Sequence, residues 1–164
     1  MFQKIVVPLD GSKLAECVLE HVEQLTNNGK TSEVVLVSVT ESITGVVART
    51  DDARLSRPLM AVPSTTETPV SIGKKQQQAE KYLDKIAHRL DKKGIKVHFE
   101  VLIGNPAEEI VRYAQENGCG LIALASHGRS GVSRWAFGSV ADKILRASSV
   151  PVLIVKVPGS QPGR

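Results

Sequence analysis

Leu121-Ile122-Ala123-Leu124-Ala125, followed at once by Ser126-His127-Gly128-Arg129-Ser130-Gly131, is the stretch that decides the fold. Five successive apolar residues read as a strand covered on both faces, and the glycine-bearing loop behind them ends it. Downstream, Gly138-Ser139 opens a helix over about 140–147, with Ser139 as the expected N-cap. Pro151-Val152-Leu153-Ile154-Val155 then reads as a further strand. Upstream, Asn105-Pro106-Ala107-Glu108 sets a capping Asn, a Pro at the first helical position and a Glu at the third, so a helix runs from there to Gly118.

The same alternation extends to the beginning of the chain. Ile5-Val6-Val7 is a short buried strand closed by Pro8-Leu9-Asp10-Gly11. From Ser12, an expected N-cap, Leu14, Val18, Val22 and Leu25 recur at helical spacing until Asn27-Asn28-Gly29 stops them. Val34 to Val37 with Val39 is a second β-branched strand. Residues 41–72 lose periodicity and carry Pro58, Pro63 and Pro69, so they read as a long insertion. Ala79, Tyr82, Leu83, Ile86, Ala87 and Leu90 form a helical stripe closed by Gly94 at C′. Ile95, Val97, Phe99 and Val101 alternate with Lys96, His98 and Glu100, the pattern of a strand at a sheet edge. Five strands alternating with helices require an α/β fold: a mostly parallel sheet with right-handed crossovers and helices on both faces.

With 164 residues, 41% of them apolar, the chain is long enough for one core, and we expect one domain over 1–157 with a tail at 158–164. The net charge of +4 would suit an anionic partner, yet the basic residues are scattered and the six aromatics are not interleaved with them, which argues against nucleic acid. Met1-Phe2-Gln3-Lys4 leads straight into the first strand without a long apolar segment, so no membrane partner and a cytoplasmic location are expected. Cys17 and Cys119 lack Cys-x-x-Cys spacing and read as small core residues in a reducing compartment.

In open parallel sheets, ligands sit outside the carboxyl ends of strands where the winding direction reverses. If the first and fourth strands are central, Asp10 and Gly128 flank that crevice. Glycines let the backbone approach an anion, and a helix start behind Ser139 supplies unpaired donors and the positive end of a dipole. Together they describe a phosphate cradle. Asp10 either forms an Asx turn or contacts a ligand in the crevice. Arg129 and Arg134 either hold phosphate or are solvated. For His127 a loop-fixing role is preferred to general-base work, because no carboxylate lies in sequence reach. His21, His88 and His98 show no metal spacing, and Trp135 and Phe137 are expected to pack the loop onto the domain.

Val6-Val7-Pro8-Leu9-Asp10-Gly11-Ser12, Gly104-Asn105-Pro106 and Ser126 to Gly131 with Gly138-Ser139 resemble the universal stress protein family over nearly the whole chain except the insertion. Its ATP-binding branch is marked by Gly-x-x-Gly, nine residues, then Gly-Ser or Gly-Thr. Here Gly128 and Gly138 enclose nine residues and Ser139 follows, but Ala125 replaces the first glycine. The resemblance implies an open, Rossmann-like five-stranded sheet of order 3-2-1-4-5. It also implies that Pro8, Asp10 and Val39 surround the adenine and ribose of ATP, with or without Mg2+. Ala125, Ser126, His127, Gly128, Arg129, Ser130 and Gly131 would wrap the phosphates, and Gly138, Ser139, Val140 and Ala141 would hold them from the helix start.

The family commonly dimerises through the fifth strand, here 150–157. That strand is nearly all apolar, so as an edge it needs cover, either by a second copy or by the last helix and the tail. The leading reading is a nucleotide-responsive dimeric regulatory protein with protein partners that the sequence does not name. The competing readings are a nucleotide-independent dimeric scaffold, which Ala125 keeps open, and a slow ATPase, for which no paired acid and base stands out.

Overall fold

A computed structural model of the chain describes residues 2–27, 33–40, 69–127 and 137–156, the side chains of 69–72 excepted. The strands are β1 (Lys4–Pro8), β2 (Glu33–Thr40), β3 (Val97–Ile103), β4 (Leu121–Ala125) and β5 (Val152–Val155). They form one sheet of order β3-β2-β1-β4-β5, every neighbouring pair parallel. This is the order that the resemblance implies, with the alternating strand β3 at an edge.

The helices are α1 (Val18–Asn27), α2 (Pro69–Asp91), α3 (Pro106–Glu116) and α4 (Ser139–Ala147). The period of two along each strand divides the core into two layers. Ile5, Val7, Val34 and Leu36 face one side, packed with Val18 and Val22 of α1 and Leu83, Ile86 and Leu90 of α2. Val6, Val35, Val37, Ile122 and Leu124 face the other, packed with Ala107, Ile110 and Ala114 of α3 and Ala141 and Ile144 of α4. Strands buried on both faces explain why β1, β2 and β4 read as continuous apolar runs.

Several local expectations need correction. The cap at Ser12 forms, its Oγ accepting the Ala15 N–H at 3.1 Å, but it opens a 3-10 turn over Ala15–Cys17 before α1 begins at Val18. Helix α2 begins at Pro69, so the last four residues of the expected insertion are helical; 41–68 lie outside the described residues. Asn105 occupies the N-cap of α3 with Pro106 behind it, yet its side chain makes no capping hydrogen bond. Ser139 is the first helical residue of α4, not its cap; Gly138 holds that position. Phe137 does not pack down, being 44% exposed, and Trp135 lies outside the described residues. The helix-closing role of Gly94 holds: its φ is +80°, and the Ile95 N–H reaches back to the Leu90 carbonyl.

Candidate functional site

The sheet reverses its winding between β1 and β4, because β2 and β3 extend from one side of β1 while β4 and β5 extend from the other. Beyond the carboxyl ends of these two strands lies a cavity of about 260 Å³. That is close to the lower end of the range for small-molecule sites, about 300 Å³.

One wall is the end of β1. The Leu9 N–H still donates to the Val37 carbonyl at 2.8 Å, after which the chain turns away at Gly11, whose φ of +83° favours glycine. Asp10 Oδ1 accepts the Ser12 N–H at 2.9 Å, so the Asx turn forms and fixes the carboxylate at the cavity wall. Pro8, Asp10 and Val39, expected from the sequence to share a ligand, all line the cavity.

The opposite wall is the end of β4. Ala125 is in the strand, paired with Val155, and no described non-glycine residue has a positive φ. The replacement of glycine by alanine therefore imposes no backbone strain. Ser126 is buried and tied down on both sides: its N–H donates to the Val155 carbonyl, and its own carbonyl accepts the Gly138 N–H, each at 2.8 Å. A Cβ on Gly138 would stand 3.3 Å from that carbonyl oxygen. A larger residue would crowd the Ser126 backbone at this point, although the φ of −56° is an ordinary one.

This contact brings the start of α4 over the cavity. The first hydrogen bond of the helix runs from the Asp142 N–H to the Gly138 carbonyl at 2.9 Å. The N–H groups of Ser139, Val140 and Ala141 thus have no acceptor within the helix, and all three residues line the cavity. His127 lines it too, with Nδ1 3.1 Å from Ser126 Oγ; its Nε2 is buried and has no hydrogen-bond partner among the described residues. Gly128, Arg129, Ser130, Gly131 and Arg134 lie outside the described residues.

The cavity also uses residues that sequence reading left out. Leu9, Val37 and Leu124 line it from the strand ends, Ala15 from the 3-10 turn, and Pro106 and Ile110 from α3. Most are apolar residues whose patterning is that of the core. Pro106 follows Gly104-Asn105, a stretch already singled out in the sequence, but nothing in it pointed to the cavity.

Chemically the cavity is an apolar cleft with polarity at two places. The Asp10 carboxylate can only accept hydrogen bonds, which suits hydroxyl or amino donors. The amides at the start of α4 can only donate, which suits an anion. Asp142 adds a carboxylate to this first helical turn, but it is paired with Arg146 at 2.9 Å. No group of three or more His, Cys, Asp or Glu among the described residues could hold a metal ion. His21 and His88 are on the surface, and His98 pairs with Glu33 at 3.2 Å. Burial pushes both thiols up from their ordinary values, as suits packing residues.

The model of the universal stress protein family matches residues 1–156. The chain belongs to the universal stress protein family. Universal stress protein MJ0577 of Methanocaldococcus jannaschii is 30% identical over 158 residues, covering 95% of this chain and 96% of that protein. The solved structure of MJ0577 superposes with a TM-score of 0.73 at 27% identity, over 97% of this chain and 99% of that one. Two more distant universal stress proteins were solved with nucleotide. One is in complex with cAMP, at TM-score 0.64 and 17% identity over 94% of this chain and 97% of that one. The other, from Arabidopsis thaliana, has AMP bound, at TM-score 0.61 and 13% identity over 98% and 95% of the two chains. At such identities the likeness is one of fold. No helix among the described residues is long and apolar enough to cross a membrane.

Proposed function

We propose that the cavity between the ends of β1 and β4 binds an adenine nucleotide, ATP with or without Mg2+, and that this universal stress protein uses it as a regulatory ligand. The observation that carries the reading is the polarity of the cleft: acceptor-only Asp10 on one wall, donor-only amides of Ser139 to Ala141 on the other, and apolar side chains between. An adenine nucleotide has the matching order, with ribose hydroxyls to donate, phosphates to accept and a flat base to bury. Two relatives with this fold were solved with AMP and cAMP, which supports the class of ligand.

In this reading Pro8 and Val39 hold the base, Asp10 the ribose, and the loop from Ala125 to Gly131 with the start of α4 the phosphates. A ligand that bridges the two walls draws β1 and α4 together, and the γ-phosphate provides the differential contact a switch requires. The edge of β5 is the surface through which two copies pair, placing a twofold-related site on each side of a continuous sheet. The molecule acts in the cytoplasm through protein partners that read its nucleotide state.

Titration calorimetry with ATP and AMP, each with and without magnesium, tests the site. Saturable heat at one site per chain, weakened in D10A, is the expected result. Absence of binding by either nucleotide at millimolar concentration would leave the nucleotide-independent scaffold in its place.

A further inference from the structure

We propose that the outer edge of β3 takes up an extended, cationic segment of a partner protein, which adds a strand to the sheet and sets lysine or arginine side chains beside Asp84 and Asp91 of α2. The surface lies at the amino end of β3, away from the nucleotide cavity at the carboxyl ends of the strands, and the proposal stands whether or not a nucleotide binds.

The backbone supplies the first half of this surface. Among the described residues β3 has a neighbour on one side only, β2. Its bonds to β2 come from alternate residues: the Val34 N–H donates to the Lys96 carbonyl at 2.9 Å, the Thr40 hydroxyl to the Leu102 carbonyl at 3.2 Å, and the Gly104 N–H to the Thr40 carbonyl at 3.1 Å. In a parallel ladder the residues in between turn their N–H and C=O groups the opposite way. Val97, Phe99 and Val101 therefore present a row of donors and acceptors away from the sheet, the template that strand addition uses. No residue of β3 is buried, whereas Val34 to Val37, its partners in β2, all are.

The second half is a groove of about 330 Å³ along this edge, lined from α2 by Asp84, Ala87, His88 and Asp91 and from β3 by Val97 and Phe99. Asp84, His88 and Asp91 recur at helical spacing and share one face of α2. Both carboxylates are exposed. His88 lies 3.3 Å from Asp84, while Asp91 forms no ion pair among the described residues. Lys85 and Lys92, their chain neighbours, do not line the groove, and Lys96 is paired with Glu33 at 3.4 Å. With its imidazoles neutral, the lining is therefore anionic.

This charge selects the occupant. Nucleic acid and anionic lipid are repelled by it. A second copy, paired through the same edge about a twofold axis normal to the sheet, would set the acidic faces of two α2 helices against each other. A cationic strand meets the carboxylates with opposite charge, and its backbone satisfies the open row on β3.

A short capped peptide of alternating lysine and valine is the probe, titrated into the full chain while 1H–15N shifts and amide exchange are followed. Saturable shifts at Val97, Phe99 and Val101 are expected, with exchange of these three amides slowed by the peptide. A glutamate–valine peptide, and a lysine–valine peptide methylated at its backbone nitrogens, should bind far more weakly. The D84N/D91N double variant, altered only at exposed positions, should weaken the lysine peptide roughly threefold to tenfold, as should added salt. Equal binding of the glutamate or methylated peptide, indifference to D84N/D91N, or no saturable shift in β3 at millimolar peptide each overturns the proposal. So does slow exchange of the Val97, Phe99 and Val101 amides in the protein alone, which would mean that the edge is already paired.

Discussion

Ala125 stands where the family's nucleotide motif has its first glycine, and a single methyl group there separates the ligand-binding reading from the scaffold reading. The methyl group can cost in two ways, by straining the backbone or by taking up room in the cavity that Ala125 lines. In a left-handed conformation alanine would be strained, but the residue sits in β4 opposite Val155 with negative φ. A125G should therefore leave ATP affinity unchanged and lower stability by about 0.5–1 kcal/mol, the usual entropic cost of glycine within a strand. Calorimetry and denaturant unfolding measure the two effects; a marked gain in affinity would show that the methyl group obstructs the site. At this scale the sequence was only partly legible. Asp10, Val39 and Ala125, which the resemblance implies share a ligand, line one cavity. Leu9, Val37 and Ile110 line it too and were not legible as such, because an apolar residue that lines a cleft obeys the same periodicity as one that fills a core. The orphan Nε2 of His127 was invisible as well, since it depends on what the fold places around the ring.

Among the elements, the strands were the most legible and the helix ends the least. A buried parallel strand leaves a short, near-continuous apolar run, and its length and flanking turn residues set it apart from a buried helix, so β1, β2 and β4 could be read from the sequence. Caps depend on a few angles: Asn105 and Ser139 are good capping residues, yet neither side chain caps its helix here. The amino ends of β1, β2 and β3 are joined by Glu33, which lies 3.6 Å from Lys4, 3.4 Å from Lys96 and 3.2 Å from His98. Burial pushes the Glu33 carboxyl up, but Lys96, Lys4 and His98 outweigh it and hold the group below its ordinary 4.5. A carboxyl with a depressed folded value adds stability above its unfolded value and loses it as pH falls through the folded one. E33Q should thus be less stable than the wild type at neutral pH, with the difference closing as the solution becomes more acidic than pH 4.5. Denaturation midpoints across the acid range check this; a difference independent of pH would show that the cations contribute nothing.

The whole molecule holds its two tyrosines in one protonation state from opposite faces of the sheet. Burial raises Tyr82, reinforced by the carboxylates of Glu16 and Asp10; burial also raises Tyr113, whose hydroxyl donates to Glu100 at 3.1 Å. Free tyrosine ionises near about 10, so the folded state retains protons that the unfolded chain releases, and stability must fall as pH rises beyond that value. The tyrosinate absorbance of folded protein should lag behind that of protein in denaturant through the alkaline range. Coincident titration curves would contradict the packing of both residues. Sheet order and the two-layer core were legible at this scale because alternation of strand and helix leaves few topologies. The place of the cavity agrees with that order, since a parallel sheet has its crevice where the winding reverses.

The central claim is that this crevice holds an adenine nucleotide between Asp10 and the start of α4. Amide chemical-shift mapping of the full chain during titration with ATP tests it most directly. The account predicts saturable shifts concentrated at Asp10, Val39, Ser126, His127 and Ser139 to Ala141. Unmoved signals at those residues under saturating ATP, or shifts confined to the distant edge around Val97 to Phe99, would contradict it.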